Sequence, residues 1–197
     1  MWDERYSDPE YAYGTAPNDF LVQQARLIPA GPVLCLAEGE GRNAVWLAEH
    51  GHDVTAVDAS RVGLEKAQRL AATRGTVIET ICSDLAEYSI APGAWAAIVS
   101  IFAHVPPDLR RATHRQVVAG LQPGGVLILE AYTPAQVSYG TGGPPSAEMM
   151  MDMAGLRTEL EGLELVVACE RERAVHEGKY HCGLAHVVQV VGRKPAQ

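Results

Sequence analysis

Apolar and polar positions along the chain switch repeatedly between a strand-like and a helix-like pattern. Asn18 is a capping residue ahead of a helical stretch running to about Ile28, and Pro29-Ala30-Gly31-Pro32 ends it. Val33-Leu34-Cys35-Leu36-Ala37 follows as a continuous apolar run, as a strand buried on both faces requires. Arg42 to His50 has helical spacing closed by Gly51, and Val54-Thr55-Ala56-Val57 predicts the next strand. Ser60 caps a helix to roughly Arg74, and Thr76 to Ile81 is rich in β-branched residues. A fourth strand spans about Trp95 to Ile101, a helix opens at Pro107-Asp108 and runs to about Leu121, and Val126 to Tyr132 is a fifth strand. After a Gly-, Thr- and Pro-rich loop from Thr133 to Pro145, a Met-rich helix starts at Ser146. Leu163 to Ala174 and Leu184 to Val191 then read as strands joined by a His176-Glu177-Gly178-Lys179 turn. Alternating βα units followed by a hairpin predict an α/β, doubly wound sheet, mostly parallel, with a C-terminal antiparallel β-hairpin at its edge and the first strand at its centre.

The length of 197 residues suits a single domain over 1–197, with 1–17 as an N-terminal arm or lid carrying Trp2, Tyr6, Tyr11 and Tyr13. The net charge of -8 leaves no basic stripe for a phosphate backbone, so a small-molecule substrate is expected and a nucleic acid is not. Met1-Trp2-Asp3-Glu4-Arg5 lacks the cationic-then-apolar order of a signal peptide, and the longest near-apolar stretch, Ala94 to Val105, is too short to span a bilayer. A cytoplasmic protein with no membrane contact, monomeric or homodimeric, is the expectation. The four cysteines form no Cys-x-x-Cys pair, so neither disulfides nor a thiolate metal site is expected. His181 and His186 lie an odd number of positions apart and would face opposite sides of a strand, so no metal is expected there either.

The strand ending in Gly39-x-Gly41-x-x-Ala44 at a helix start fits a dinucleotide loop, and Asp58 stands about twenty positions on, placed to accept from vicinal ribose hydroxyls. A nicotinamide-dependent oxidoreductase is therefore one reading. Glu38 and Glu40 flank Gly39, however, where a pyrophosphate would meet two carboxylates at a helix N-terminus. A cofactor with no phosphate, carrying a sulfonium and an α-ammonium, meets no such opposition. Asp84, just past the third strand, is placed either to accept from an adenine amino group or to cap a helix.

These residues resemble the class I S-adenosylmethionine-dependent methyltransferases, and within them the tellurite-resistance and thiopurine-like small methyltransferases. The likeness covers most of the chain. It rests on Trp2-Asp3-Glu4-Arg5-Tyr6, Tyr13-Gly14-x-x-Pro17-Asn18, Glu38-Gly39-Glu40-Gly41-Arg42-Asn43, Val57-Asp58-x-Ser60, Leu121-x-Pro123-Gly124-Gly125 and the closing hairpin. The resemblance implies a Rossmann-like methyltransferase sheet and S-adenosylmethionine as cofactor. It places Glu38, Gly39, Glu40, Gly41 and Asn43 near the amino-acid tail, Asp58 with Ala59 and Ser60 near the ribose, and Asp84 and Leu85 near adenine. Ile101, at the end of the fourth strand, joins the cofactor contacts. Two positions depart from the pattern: Cys35 stands where an acidic residue is common and Ala37 where the first glycine is usual. Glu38 is the carboxylate available in place of the first.

Methyl transfer from a sulfonium is an in-line displacement in which the protein mainly aligns the reactants. A hydroxyl or ammonium acceptor also calls for a general base, whereas a soft chalcogen centre or thiolate needs little proton removal. His104 lies just beyond the fourth strand, at the end where ligands bind in this architecture, and is a candidate base or a binder of loop carbonyls. His176 and His181, with Arg171 and Arg173, either attract an oxyanion or form a solvated strand face. The arm's Trp2, Tyr6, Tyr11 and Tyr13 offer aromatic faces to a sulfonium or pack on the sheet edge. The expected function is S-adenosylmethionine-dependent methylation of a small molecule such as a chalcogen oxyanion or thiol. A cofactor-binding protein without turnover is the alternative.

Overall fold

The computed structural model describes residues 2–144 and 146–196. Met1, Pro145 and Gln197, which include the expected end of the loop after the fifth strand, lie outside the described residues. The strands are β1 (Pro32–Leu36), β2 (Asp53–Asp58), β3 (Glu79–Cys82), β4 (Trp95–Ile101), β5 (Leu121–Tyr132), β6 (Glu164–Glu177) and β7 (His181–Arg193). They form one sheet in the order β3-β2-β1-β4-β5-β7-β6. Pairing is parallel from β3 to β5, and β7 runs antiparallel to both β5 and β6. Helices α1 (Trp2–Tyr6), α2 (Asp19–Gln24), α3 (Arg42–Glu49), α4 (Arg61–Thr73), α5 (Pro107–Gly120) and α6 (Met153–Glu159) complete the α/β architecture.

The two faces of the sheet carry separate cores. Val33, Cys35, Ala56, Val99 and Ile128 point to one side, beneath α3 and α4, and Leu34, Leu36, Ile98, Leu127 and Leu129 point to the other, beneath α5 and α6. Burial on both faces explains why these strands read as continuous apolar runs in place of an alternating pattern.

Several boundaries differ from the sequence reading. The helix after Asn18 leaves α geometry at Gln24 and finishes as a 3-10 turn over Ala25–Leu27. Thr76 to Ile78 stays outside β3, because α4 closes on a Schellman motif in which Gly75 N–H donates to Ala72 and Thr76 N–H to Ala71. No helix starts at Ser146. Its side chain caps only a 3-10 turn, Ala147–Met149, and α6 starts at Met153 behind Asp152, whose carboxylate accepts from Gly155 N–H at 2.7 Å. The intervening carbonyls are engaged elsewhere: Arg110 donates to Glu148 O at 3.1 Å and Met150 O at 3.0 Å. Met151 N–H meanwhile joins Tyr132 O at 2.9 Å. His176 and Glu177 belong to β6, paired with Cys182 and His181, so the hairpin turn is shorter than expected and the hairpin reaches further past the sheet. Among the described residues no helix is long and apolar enough to cross a membrane.

Candidate active site

The carboxyl ends of β1, β2, β4 and β5 meet beneath a roof made of the N-terminal arm, the hairpin tip and the loop after β5. Beyond β1 the chain turns through Ala37 and Gly39, with φ of 49° and 61°, into α3. A Cβ on Gly41 would lie 2.4 Å from Ala67 Cβ, so only glycine lets the loop and α4 approach this closely. Glu38 folds inward, and its Oε1 accepts from Asn43 N–H at 2.9 Å and Ala44 N–H at 2.8 Å, capping α3. Burial outweighs these bonds and pushes its carboxyl up to about 7. Beneath it, burial first and the neighbouring Glu38 second push the Cys35 thiol up, so that it stays neutral.

Asp58, at the end of β2, accepts from Gly39 N–H through Oδ2 at 2.8 Å and from Ser60 N–H through Oδ1 at 2.7 Å. Each carboxylate oxygen keeps a further lone pair. Burial raises its pKa and the two N–H bonds oppose that rise. Ser60 Oγ caps α4 by accepting from Gly63 N–H at 3.0 Å and donates to Asp3 of the arm at 2.5 Å.

The arm is latched over this loop. Lys66 donates to Asp8 O and Glu10 O, each at 2.8 Å, and pairs with the Glu40 carboxylate, whose other oxygen accepts from Ala12 N–H at 2.8 Å. Tyr6 is only 5% exposed and covers the glycines: a Cβ on Gly39 would lie 2.6 Å from its Oη, and one on Gly63 2.9 Å from its ring. Trp2 stacks on Tyr6 at 5.8 Å, Arg5 donates to Tyr13 Oη at 2.9 Å, and Tyr11 Oη donates to Lys66 O at 3.2 Å.

Between arm, sheet and hairpin lies a packed aromatic cluster. The His181 ring is 4.6 Å from Tyr13, 4.9 Å from Phe102 and 5.2 Å from Tyr132. Phe102 takes a left-handed φ of 54° at the end of β4, a strained conformation of the kind that collects at functional sites. Tyr132 Oη and His181 Nδ1 are both buried and both without a hydrogen-bond partner. Gly142 packs against this cluster, since a Cβ there would lie 3.1 Å from Tyr132 Oη and 3.0 Å from the His181 ring. Below it runs a buried ionic network. Glu177 receives Arg42 at 2.6 Å, Arg173 at 3.1 Å and Asn18 at 2.9 Å, and Glu130 receives Arg173, Asn18 and Gln189.

The remaining sequence-predicted residues are distributed around this centre. His104 is half-buried beside Tyr132, and its Nε2 accepts from Tyr132 N–H at 3.0 Å. Burial lowers its pKa to about 3, so the ring is neutral. His176 is exposed on the other face of β6 from Glu177, with Nδ1 3.8 Å from Cys182 Sγ. His186 is held by Thr133 Oγ1 at 2.6 Å. The Asn43 side chain accepts from Asn18 N–H at 2.9 Å, tying α3 to α2. At the far rim Asp84 is exposed and accepts from Ala86 N–H at 2.8 Å, in a turn and not a helix. Ala59 is exposed, Leu85 packs on one core and Ile101 belongs to the other. Glu177, Tyr132, Phe102 and Lys66 escaped the sequence reading. Glu130 and Lys66 carry a retrospective signal, being charges at positions where the pattern requires burial.

The donor set fits an S-adenosyl group. Asp58 keeps acceptor capacity for a diol, the loop bears carboxylates, and aromatic side chains lie beside it. Residues 33–125 match the family described as "Methyltransferase domain". That stretch, just under half of the chain, is similar to a methyltransferase domain. The chain is 28% identical over 127 residues to 2-heptyl-1-hydroxyquinolin-4(1H)-one methyltransferase of Mycobacteroides abscessus, covering 63% of this chain and 55% of that one. It is 31% identical over 134 residues to glycine/sarcosine N-methyltransferase of Halorhodospira halochloris, covering 66% and 47%. The chain thus spans about half the length of these relatives. Among solved structures, TehB from Haemophilus influenzae superposes with a TM-score of 0.77 at 19% identity, over 98% of this chain and 67% of that one. At that identity the likeness concerns the fold alone.

Proposed function

We propose that this chain transfers the methyl group of S-adenosylmethionine to a small protic acceptor bound among these aromatic rings, in a chamber that opens as the arm lifts. The observation that carries the reading is the pair of buried, unpartnered polar atoms, Tyr132 Oη and His181 Nδ1, among aromatic rings beside the glycine loop. Burying a hydroxyl such as Tyr132 Oη without a partner is unfavourable by about 1–3 kcal/mol, a penalty that a bound polar ligand would remove. The donor supplies an activated methyl on a sulfonium. For it, Asp58 would hold the ribose hydroxyls, and Glu38, Gly39 and Glu40 would line the amino-acid end. Ala59, Asp84, Leu85 and Ile101 would flank adenine. Tyr6 and Tyr13 would shield the reacting centre from water, and the arm must lift for loading because Tyr6 lies directly on the loop.

The chamber favours a neutral acceptor, such as an aromatic hydroxyl or thiol, over a chalcogen oxyanion. Arg42 and Arg173 are consumed by Glu177 and Glu130, and Arg5 by Tyr13, so no uncommitted cation among them faces the chamber. The names of the two curated relatives, which denote small acceptors, support the small-molecule reading. Incubating the protein with methyl-labelled S-adenosylmethionine and a panel of phenols, thiols, amines, tellurite and selenite tests it. Transfer to a phenol or thiol is expected. Transfer to tellurite alone would reverse the acceptor class, and cofactor binding without any transfer would favour a non-catalytic binder.

A further inference from the structure

His181 and Glu177 face each other across the hairpin tip, and His181 Nδ1 lies 3.7 Å from Glu177 Oε2. Glu177 is a rigid anion: Arg42, Arg173 and Asn18 fix both its oxygens at 2.6–3.1 Å. Burial works against its charge, yet the His181 imidazole, Arg42 and Arg173 hold its carboxyl well below the usual range. With Nδ1 turned to this anion, Nε2 is the ring nitrogen left for a ligand. Two other histidines singled out by the sequence do not serve this role. His104 already spends Nε2 on Tyr132 N–H, and His176 is on the outer strand face.

We propose that Glu177 and His181 form a carboxylate–imidazole dyad, in which Glu177 holds Nδ1–H and His181 Nε2 takes the proton of the methyl acceptor. The dyad rests on the small-acceptor reading above. As the acceptor's oxygen, nitrogen or sulfur bonds to the methyl carbon, the carbon–sulfur bond of the donor breaks with its electron pair left on sulfur. The acceptor's proton moves to Nε2, leaving an imidazolium paired with the Glu177 carboxylate, and it passes to water when the roof opens. Glu177 is the positioning residue: it fixes the tautomer and stabilises the cation formed. The other charged and titratable groups around His181 are Arg42 from α3, Arg5 and Tyr13 from the arm, Tyr132 from β5 and His104 after β4. Burial lowers its pKa most, Arg42 and Arg5 add to that and Glu177 opposes them, so the net shift favours the neutral ring that can accept a proton.

Two readouts test the dyad. In the ligand-free protein labelled with 15N-histidine, nitrogen shifts at pH 8 should show His181 as the Nδ1–H tautomer. An Nε2–H tautomer would overturn the proposal whether or not any substrate is found. In turnover, His181→Gln should lower kcat for 2-naphthol by about 100-fold or more and for 2-naphthalenethiol by under about 10-fold, because the thiol ionises without help. Glu177→Gln should give a smaller loss for the naphthol and move the pH profile. Equal losses for both acceptors would mean that His181 only shapes the chamber. If the wild-type protein methylates neither compound yet binds the demethylated cofactor, the function reading fails, while the tautomer still decides the dyad.

Discussion

Replacing Lys66 with methionine would remove the main latch of the N-terminal arm. The ammonium is 3% exposed and serves Glu40, Asp8 O and Glu10 O together, with a weaker contact to Tyr6 O at 3.4 Å. Methionine conserves most of the volume, so the loss is electrostatic. Removing one partner of a buried ion pair is unfavourable by about 3–5 kcal/mol, because the other charge stays buried without compensation. In a chain of this size each kcal/mol moves Tm by about 2–4 °C, so Lys66→Met should melt on the order of 6–20 °C lower. The arm offers a way to relieve the strain. It retains the contacts of Asp3 with Ser60 and of Tyr6 with the glycine loop, but if it lifts, Glu40 regains water and the melting shift is limited to the free energy of docking. Limited proteolysis at Arg5, followed by mass spectrometry alongside thermal unfolding, separates the two outcomes. The double variant with Glu40→Gln should recover at least about 1 kcal/mol, since neighbours in one network do not add. A melting shift under about 2 °C with unchanged cleavage at Arg5 would refute the latch.

Two other substitutions probe the glycine loop. Ala37 has φ of 49°, a left-handed conformation unfavourable by about 1–2 kcal/mol for a residue with a Cβ, and glycine's extra unfolded-state entropy returns part of that. Ala37→Gly should therefore gain up to about 1 kcal/mol in urea unfolding, and a clear loss would show that the methyl packs usefully. Glu38 has an unfolded value of 4.5 and a folded value near 7, so the folded state holds a proton that the unfolded state releases. The associated stability is fully present below about pH 4.5 and is lost as pH rises through about 7. Wild-type stability should fall over that window relative to Glu38→Gln, and parallel curves for the two proteins would contradict the buried placement.

Much of the architecture was legible because it depends on local signals. Apolar runs marked the central strands, Asn18 and Ser60 capped the helices they preceded, and Gly39, Gly41 and Asp58 marked the loop and the strand end beside it. The failures were non-local. The segment from Ser146 to Asp152 has a helical composition, but Arg110, nearly forty residues away, takes its carbonyls. His176 and Glu177 looked like a turn because the sequence does not reveal how far β6 follows β7. The aromatic cluster was the least legible feature. Tyr13, Phe102, Tyr132 and His181 come from four separate segments, and only strand order and hairpin register bring them together. The carboxylates of Glu38 and Glu40 are turned to the α3 amides and to Lys66, contacts that the sequence pattern does not reveal.

Calorimetric titration of S-adenosylmethionine and of its demethylated product into the wild-type protein and into Asp58→Ala measures the loop and the strand end together. One saturable site per chain is expected in the wild type. Affinity in the folded variant should be weaker by about 1–3 kcal/mol, through loss of charge-assisted bonds to the ribose. Equal affinity in both proteins, or binding of NAD where neither adenosyl compound binds, would contradict the assignment of Asp58 and of the glycine loop it anchors.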